Sequence, residues 1–161
     1  MAVIHIREAA EQDTAEIMRF IRELAQFEQL EHEVTATEEI IRASLFGKRP
    51  YAYALLAQVD GVSAGFCIYF YNFSTFVGKP GIYIEDIYVA PDYRKLGIGK
   101  RIFAKIGEIA KYNNCGRIEW WVLDWNRNAI DFYERLGAQA MSEWTVYRLS
   151  ENKFEALLQN T

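Results

Sequence analysis

With 161 residues, 51% of them hydrophobic and 15% aromatic, the chain is long and apolar enough for a single globular domain over 1–161 with an ample core. A net charge of −4 gives no global reason to bind nucleic acid, and two cysteines, Cys67 and Cys115, are too few for a disulfide framework. No apolar run approaches ~18 residues and Met1–Arg7 lacks a signal-peptide layout, so the expectation is a cytoplasmic protein with neither membrane nor nucleic-acid partner.

Val3 to Arg7 alternates apolar and polar residues, which predicts a first strand. Asp13 and Glu16 are placed to cap a helix running through Ile17, Phe20, Ile21, Leu24 and Phe27. A second helix is expected from Thr35–Thr37 through Ile40, Ile41 and Leu45 to Gly47. Tyr51–Val59 and Val62–Phe73 read as strands joined at Asp60-Gly61, a tight-hairpin signal. Ser74–Gly81 reads as a loop, and Ile82–Val89, rich in β-branched and aromatic residues, as a strand ending before Pro91. Ile98, Ile102, Ile106 and Ile109 then recur at helical spacing. Arg117–Asp124 predicts a strand and Asn126–Leu136 a helix closed by Gly137. Ala138–Met141 and Trp144–Leu149 predict two last strands, and Glu151–Leu158 a short helix. The order indicates an α/β domain with a mixed sheet flanked by helices.

The most informative stretch is Arg94-Lys95-Leu96-Gly97-Ile98-Gly99, between strand and helix. Glycines at a helix start let an anion approach the free backbone N–H groups of the first turn. Arg94, Lys95, Lys100, Arg101 and Lys105 add five positive charges, with no carboxylate between Arg94 and Lys105. These features make a polyphosphate-binding turn. It is not a Walker loop, because Arg94 stands where the first glycine belongs and Arg101 where Ser or Thr belongs. Nor is it a dinucleotide fingerprint, whose third glycine is here Ile102.

Glu85 and Asp86 interrupt an otherwise apolar strand next to that turn. Adjacent strand residues face opposite sides, so only a bulge would aim both at one ligand; otherwise they pair with Lys or Arg on neighbouring elements. Tyr133 shares a helical stripe with Ala129, Ile130 and Leu136 and reads equally as core. Asn126 reads as a helix cap, Arg135 as a helix-surface charge, and Trp120, Trp121 and Trp125 as core or interface aromatics. From Glu23 to Ile41 there are six glutamates (Glu23, Glu28, Glu31, Glu33, Glu38 and Glu39) and no Lys or Arg, the pattern of solvated helix faces or of a cation-attracting entrance. His5 and His32 have no metal-ligand company, and neither cysteine has a histidine at nucleophile spacing.

The pattern Arg-x-x-Gly-x-Gly resembles the acetyl-CoA pyrophosphate loop of the GCN5-related N-acetyltransferase family, and the element order matches that family over nearly the whole chain. Within it, Ile84-Glu85-Asp86-Ile87-Tyr88-Val89, Asp124-Trp125-Asn126, Asp131-Phe132-Tyr133-Glu134 and Leu136-Gly137-Ala138 are similar to the spermidine/spermine (diamine) and thialysine acetyltransferases. Phe27-Glu28, Glu31 and Val34-Thr35-Ala36-Thr37-Glu38 are similar to the substrate-entry region of that subgroup.

The resemblance implies a mixed, mostly antiparallel seven-stranded sheet and a homodimer with the C-terminal strands at its interface. It implies acetyl-CoA as co-substrate, no metal, and direct acetyl transfer to a small primary amine: a diamine or polyamine, or thialysine or another lysine-like amine. Glu85 becomes a water-linked general base on a bulged strand and Tyr133 the general acid. The co-substrate would contact Ile87, Tyr88, Val89, Arg94, Lys95, Leu96, Gly97, Ile98, Gly99, Lys100, Asn126, Tyr133 and Arg135. The acceptor would contact Glu28, Glu31, Glu85, Asp86, Trp125 and Trp144. The chain departs from polyamine-acetylating relatives at Glu143-Trp144, where they carry Glu-Gly-Trp. Acetylation of a protein lysine or N-terminus, and a non-catalytic acetyl-CoA-binding regulatory module, are the alternatives.

Overall fold

The computed structural model describes residues 1–159, which divide into two compact units, Met1–Trp121 and one beginning at Val122. The first unit holds a five-stranded sheet in sequential order: β1 (Ile4–Glu8), β2 (Tyr53–Val59), β3 (Val62–Ser74), β4 (Lys79–Val89) and β5 (Ile118–Trp120). The first four strands are antiparallel and β4–β5 is parallel. Among the described residues there are thus five strands, not the expected seven. No helix among them is long and apolar enough to cross a membrane.

The central strands are near-continuous apolar runs because both faces of the sheet are covered. Ala54, Leu56, Phe66, Ile68 and Tyr88 face helices α1 (Thr14–Phe27) and α2 (Glu38–Phe46), packing with Ile17, Phe20 and Leu45. Leu55, Ala57, Cys67, Tyr69, Ile82 and Ile84 face α3 (Ile98–Tyr112), whose Ile98, Ile102, Ile106 and Ala110 lie one above another at i, i+4. Phe20, Ile102 and Ile106 are fully buried, each contributing about 1.5–3 kcal/mol of apolar burial. The hairpin at Asp60-Gly61 forms as predicted, with φ of 49° and 84° and Val59 opposite Val62.

Several boundaries differ from expectation. Asp13 does not cap α1, because a 3₁₀ turn at Glu11–Asp13 precedes the helix. Its carboxylate instead accepts the Ala10 N–H (2.7 Å) and both Arg7 guanidinium donors (2.7 and 2.9 Å), which hold its pKa below the usual value. Thr37 does cap α2, accepting from the Ile40 N–H at 3.3 Å. Pro80 and Gly81, expected in a loop, lie inside β4, opposite Phe73 and Asn72. The prolyl carbonyl accepts from Gly116, and a Cβ at Gly81 would stand 2.5 Å from Asn72 Oδ1, so a larger residue there would displace the Asn72 side chain. β5 is only three residues long because its ladder stops at Ile84–Trp120, where β4 changes register.

In the second unit, α4 (Arg127–Arg135) begins with Asn126 accepting from the Ala129 N–H at 3.3 Å. It ends in a paired C-terminal cap, Ala138 N–H to Tyr133 O (3.1 Å) and Gly137 N–H to Glu134 O (2.9 Å), with Gly137 at φ 90°. Ala138–Met141 and Trp144–Leu149 are not strands. A strand exists only within a ladder, no ladder reaches these residues, and Trp144, Val146, Tyr147 and Leu149 are exposed. A 3₁₀ turn at Glu151–Lys153 leads into α5 (Phe154–Gln159), the predicted terminal helix.

Candidate active site

The register of β3 against β4 slips by one residue: Ile68 faces Asp86 and Tyr69 faces Ile84, leaving Glu85 without an opposite number. Ile84 packs toward α3, whereas Ile68 belongs to the α1 face. The bulge therefore delivers Glu85 and Asp86 to the α1 side together, which a regular strand would not do. Glu28, the residue after α1, joins them: burial first, then the charges of Glu85 and Glu28, pushes the Asp86 carboxyl up to about 7. Burial also raises Glu28. Among the described residues no Lys, Arg or His forms an ion pair with any of the three. The ion-paired reading of Glu85 and Asp86 is thereby set aside. Unpaired acids in a half-buried place repel one another and gain from a cation between them.

An aromatic wall that sequence reasoning missed stands beside this cluster. Tyr83, two residues before Glu85, packs at a tilt against Phe70 at 5.0 Å and meets the Trp121 ring edge-on at 5.8 Å. Burial, with Glu85 next, pushes its phenol up to about 12. The strand period was the available signal, since Tyr83 and Glu85 share a face. Glu31 is placed elsewhere, exposed in a 3₁₀ turn and lining a cavity of about 580 Å³ with Arg19, Arg22 and Glu38.

The turn after β4 leaves backbone donors open at the start of α3. Lys95 (φ 67°) and Gly97 (φ 79°) are both left-handed, and the first helical bond of α3 is Arg101 N–H to Gly97 O at 3.2 Å. The N–H groups before it receive no side-chain cap, and nothing lies within 4 Å of where a Gly97 Cβ would be. Lys95 and Lys100 are exposed, whereas Lys105 is engaged by Glu108 at 3.2 Å. Open space, free donors and unengaged lysines fit a pyrophosphate. At the end of β4, before this turn, Ile87, Tyr88 and Val89 pair with β3 on one edge and with no described strand on the other, since β5 stops opposite Ile84. Arg94, at the head of this turn, also reaches back to β4 and α1. Its Nε donates to Val89 O at 2.9 Å, and its guanidinium lies over the rings of Phe27 (5.3 Å) and Tyr88 (5.7 Å).

The remaining candidates belong to the second unit. Tyr133 is half-buried in the last turn of α4, its ring 5.6 Å from Phe132. Asn126 keeps its amide donors beyond the capping oxygen, Arg135 is exposed at the end of α4, and Trp125 and Trp144 are exposed.

Residues 15–138 match the model of the Acetyltransferase (GNAT) family. The chain is similar to a thialysine N-epsilon-acetyltransferase of Mus musculus, 42% identical over 159 residues that cover 92% of this chain and 93% of the relative. It is also similar to an L-ornithine N5-acetyltransferase of Arabidopsis thaliana, 32% identical over 94% of this chain and 86% of the relative. Among solved structures, an integron cassette protein from the mobile metagenome of V. cholerae superposes with a TM-score of 0.80, covering 97% of this chain and 98% of the other at 22% identity.

Proposed function

Because the chain belongs to the GNAT acetyltransferase family, we propose that it acetylates a lysine-like primary amine, such as thialysine, with a diamine as the second acceptor class. It is an N-acetyltransferase of small amines. The unpaired carboxylate cluster of Glu28, Glu85 and Asp86 carries the choice of a cationic acceptor, and the Tyr83–Trp121 wall gives its ammonium aromatic faces. Similarity to relatives that act on thialysine and ornithine supports the lysine-like class. Acetyl-CoA is the proposed co-substrate, held by the backbone of Leu96–Lys100, by Lys95 and Lys100, and by the free edge of Ile87–Val89. It supplies the activated acyl group when bound. Residues 1–161 are proposed to act as one catalytic domain, which the family match across both units supports. Pairing of C-terminal segments in a cytoplasmic homodimer completes the proposal.

The chain's own residues manage protons. An alkylammonium with pKa ~10.4 must lose a proton before it can attack, which costs about 4–5 kcal/mol at pH 7. Asp86 and Glu28 hold the cation, and Glu85, on the exposed crest of the bulge, accepts its proton through water. As the new C–N bond forms and the C–S bond breaks, the Tyr133 hydroxyl gives its proton to sulfur; the second proton that leaves nitrogen passes to solvent, which restores the phenol.

Gly97→Val tests the anion turn. A β-branched residue resists φ 79°, so binding of CoA weakens by about tenfold to a hundredfold at a strain of ~1–3 kcal/mol, read by calorimetry. Unchanged affinity would remove the assignment. Acceptor binding tests the carboxylates. The neutral Asp86 carboxyl attracts a cation less than its ionised form, so the acceptor KM rises as pH falls below about 7, approaching tenfold per unit. Asp86→Asn gives a high acceptor KM and removes this limb. A KM independent of both pH and residue 86 would contradict the acceptor reading.

A further inference from the structure

Arg94 opens the phosphate turn in sequence, yet its side chain is committed to a different element. Its Nε is bonded to Val89 O at the end of β4, and its guanidinium plane covers Phe27, the last residue of α1, and Tyr88. The Tyr88 phenol is raised by burial and by Glu23 of α1, and lowered by Arg94, so the three polar ends lie within reach of one another. Glu23 is itself fixed by Arg19, which also holds Glu16 at 2.9 Å. A cavity of about 480 Å³ lies here, bordered by Glu23, Gln26, Phe27, Tyr88, Tyr93 and Arg94. The end of α1 is therefore not packed solid against the β4–α3 connection, and Arg94 spans the gap. The residue that follows Phe27 is Glu28, whose charge acts on Asp86.

We propose that Arg94 is a positioning residue for the acceptor carboxylates: its guanidinium clamps the end of α1 to the end of β4 and so sets Glu28 opposite Asp86. Its Nε and the face of its guanidinium are committed to that clamp and not to the anion turn. The inference rests on the reading that Glu28 and Asp86 hold the acceptor's ammonium. A planar fork with one N–H on a carbonyl and its face on two rings is a task for Arg, which Lys cannot perform.

The test compares wild type, Arg94→Lys, Glu28→Gln and the double variant in the full chain, with thialysine as acceptor and CoA affinity measured by calorimetry. Arg94→Lys is expected to raise the acceptor KM about tenfold, leave kcat within about threefold, and leave the CoA Kd within about twofold. Glu28→Gln raises the same KM, and the double variant adds little, because both changes act through one carboxylate. Arg94→Gln, which keeps a donor for Val89 O without the stacked cation, is expected to raise KM as well and gives a second reading should the Lys variant fold poorly. A CoA Kd weakened tenfold in Arg94→Lys with an unchanged acceptor KM would overturn the proposal in favour of phosphate contact. A KM raised by Glu28→Gln and untouched by both Arg94 variants would overturn the clamp alone. A KM untouched by Glu28→Gln would overturn the clamp together with the acceptor reading beneath it.

Discussion

Replacing Tyr133 by Phe is expected to lower kcat by about 10²–10⁴-fold while the affinity for CoA stays unchanged. An ordinary phenol, with pKa ~10, lies only about 1.5 units above a thiol near ~8.5, so the transfer to sulfur is slightly uphill and near enough to balanced to accompany C–S cleavage. Tyr133 sits in the last turn of a helix fixed at both ends, by Asn126 at the start and by the bond from the Ala138 N–H to Tyr133's own carbonyl at the finish. Phe132 supports the ring, and its removal from water is only partial. Phe keeps the ring and deletes the proton. Steady-state turnover, with the absence of a pre-steady-state burst establishing that chemistry limits the rate, reads the effect. A tyrosine that merely fills space predicts near-normal turnover, and that result would assign Tyr133 to packing.

Glu85→Gln is expected to lower kcat by a similar ~10²–10⁴-fold and to displace the pH–rate profile. Glutamine has the same shape, so the bulge that depends on the Ile68–Asp86 and Tyr69–Ile84 register persists. What disappears is the acceptor for the ammonium proton. More of the amine is already neutral at high pH, so the deficit of the variant shrinks as pH rises toward the amine's own pKa. Asp86 does not replace it, because burial and two neighbouring carboxylates keep its proton on up to about pH 7 and its place is against the substrate cation. A Glu85→Gln enzyme with normal kcat across the pH range would return Glu85 to the status of a surface carboxylate.

Sequence carried the fold where local pattern and tertiary need agree. The isoleucine stripe of α3 and the Asp60-Gly61 hairpin are read from neighbours in the chain, and both stand where periodicity and turn chemistry put them. The bulge was legible only by its consequence: two adjacent acids could share a ligand only if the strand slipped, and the slip lies at Glu85. Contacts distant in sequence were not legible. Asp13 reads as a cap because Arg7, its bidentate partner, lies across a strand–helix junction. Pro80-Gly81 reads as a loop until the long β3–β4 ladder and the close approach of Asn72 are seen. Arg94 reads as a phosphate ligand by its motif, and its engagement with Phe27, 67 positions earlier, leaves no trace in local pattern. Trp144–Leu149 has strand composition without a ladder to join, which periodicity does not report.

The most direct test of the account is release of free CoA thiol from acetyl-CoA across a panel of acceptors. The panel holds thialysine, lysine, ornithine, short diamines, a polyamine, a lysine-containing peptide and a peptide with a free N-terminus. The account predicts thiol release that depends on a small cationic primary amine, strongest with the lysine-like acceptors, weakened by high salt as exposed charges are screened, and at background with both peptides. Release with the peptides alone, or binding of acetyl-CoA with no release for any amine, would contradict it.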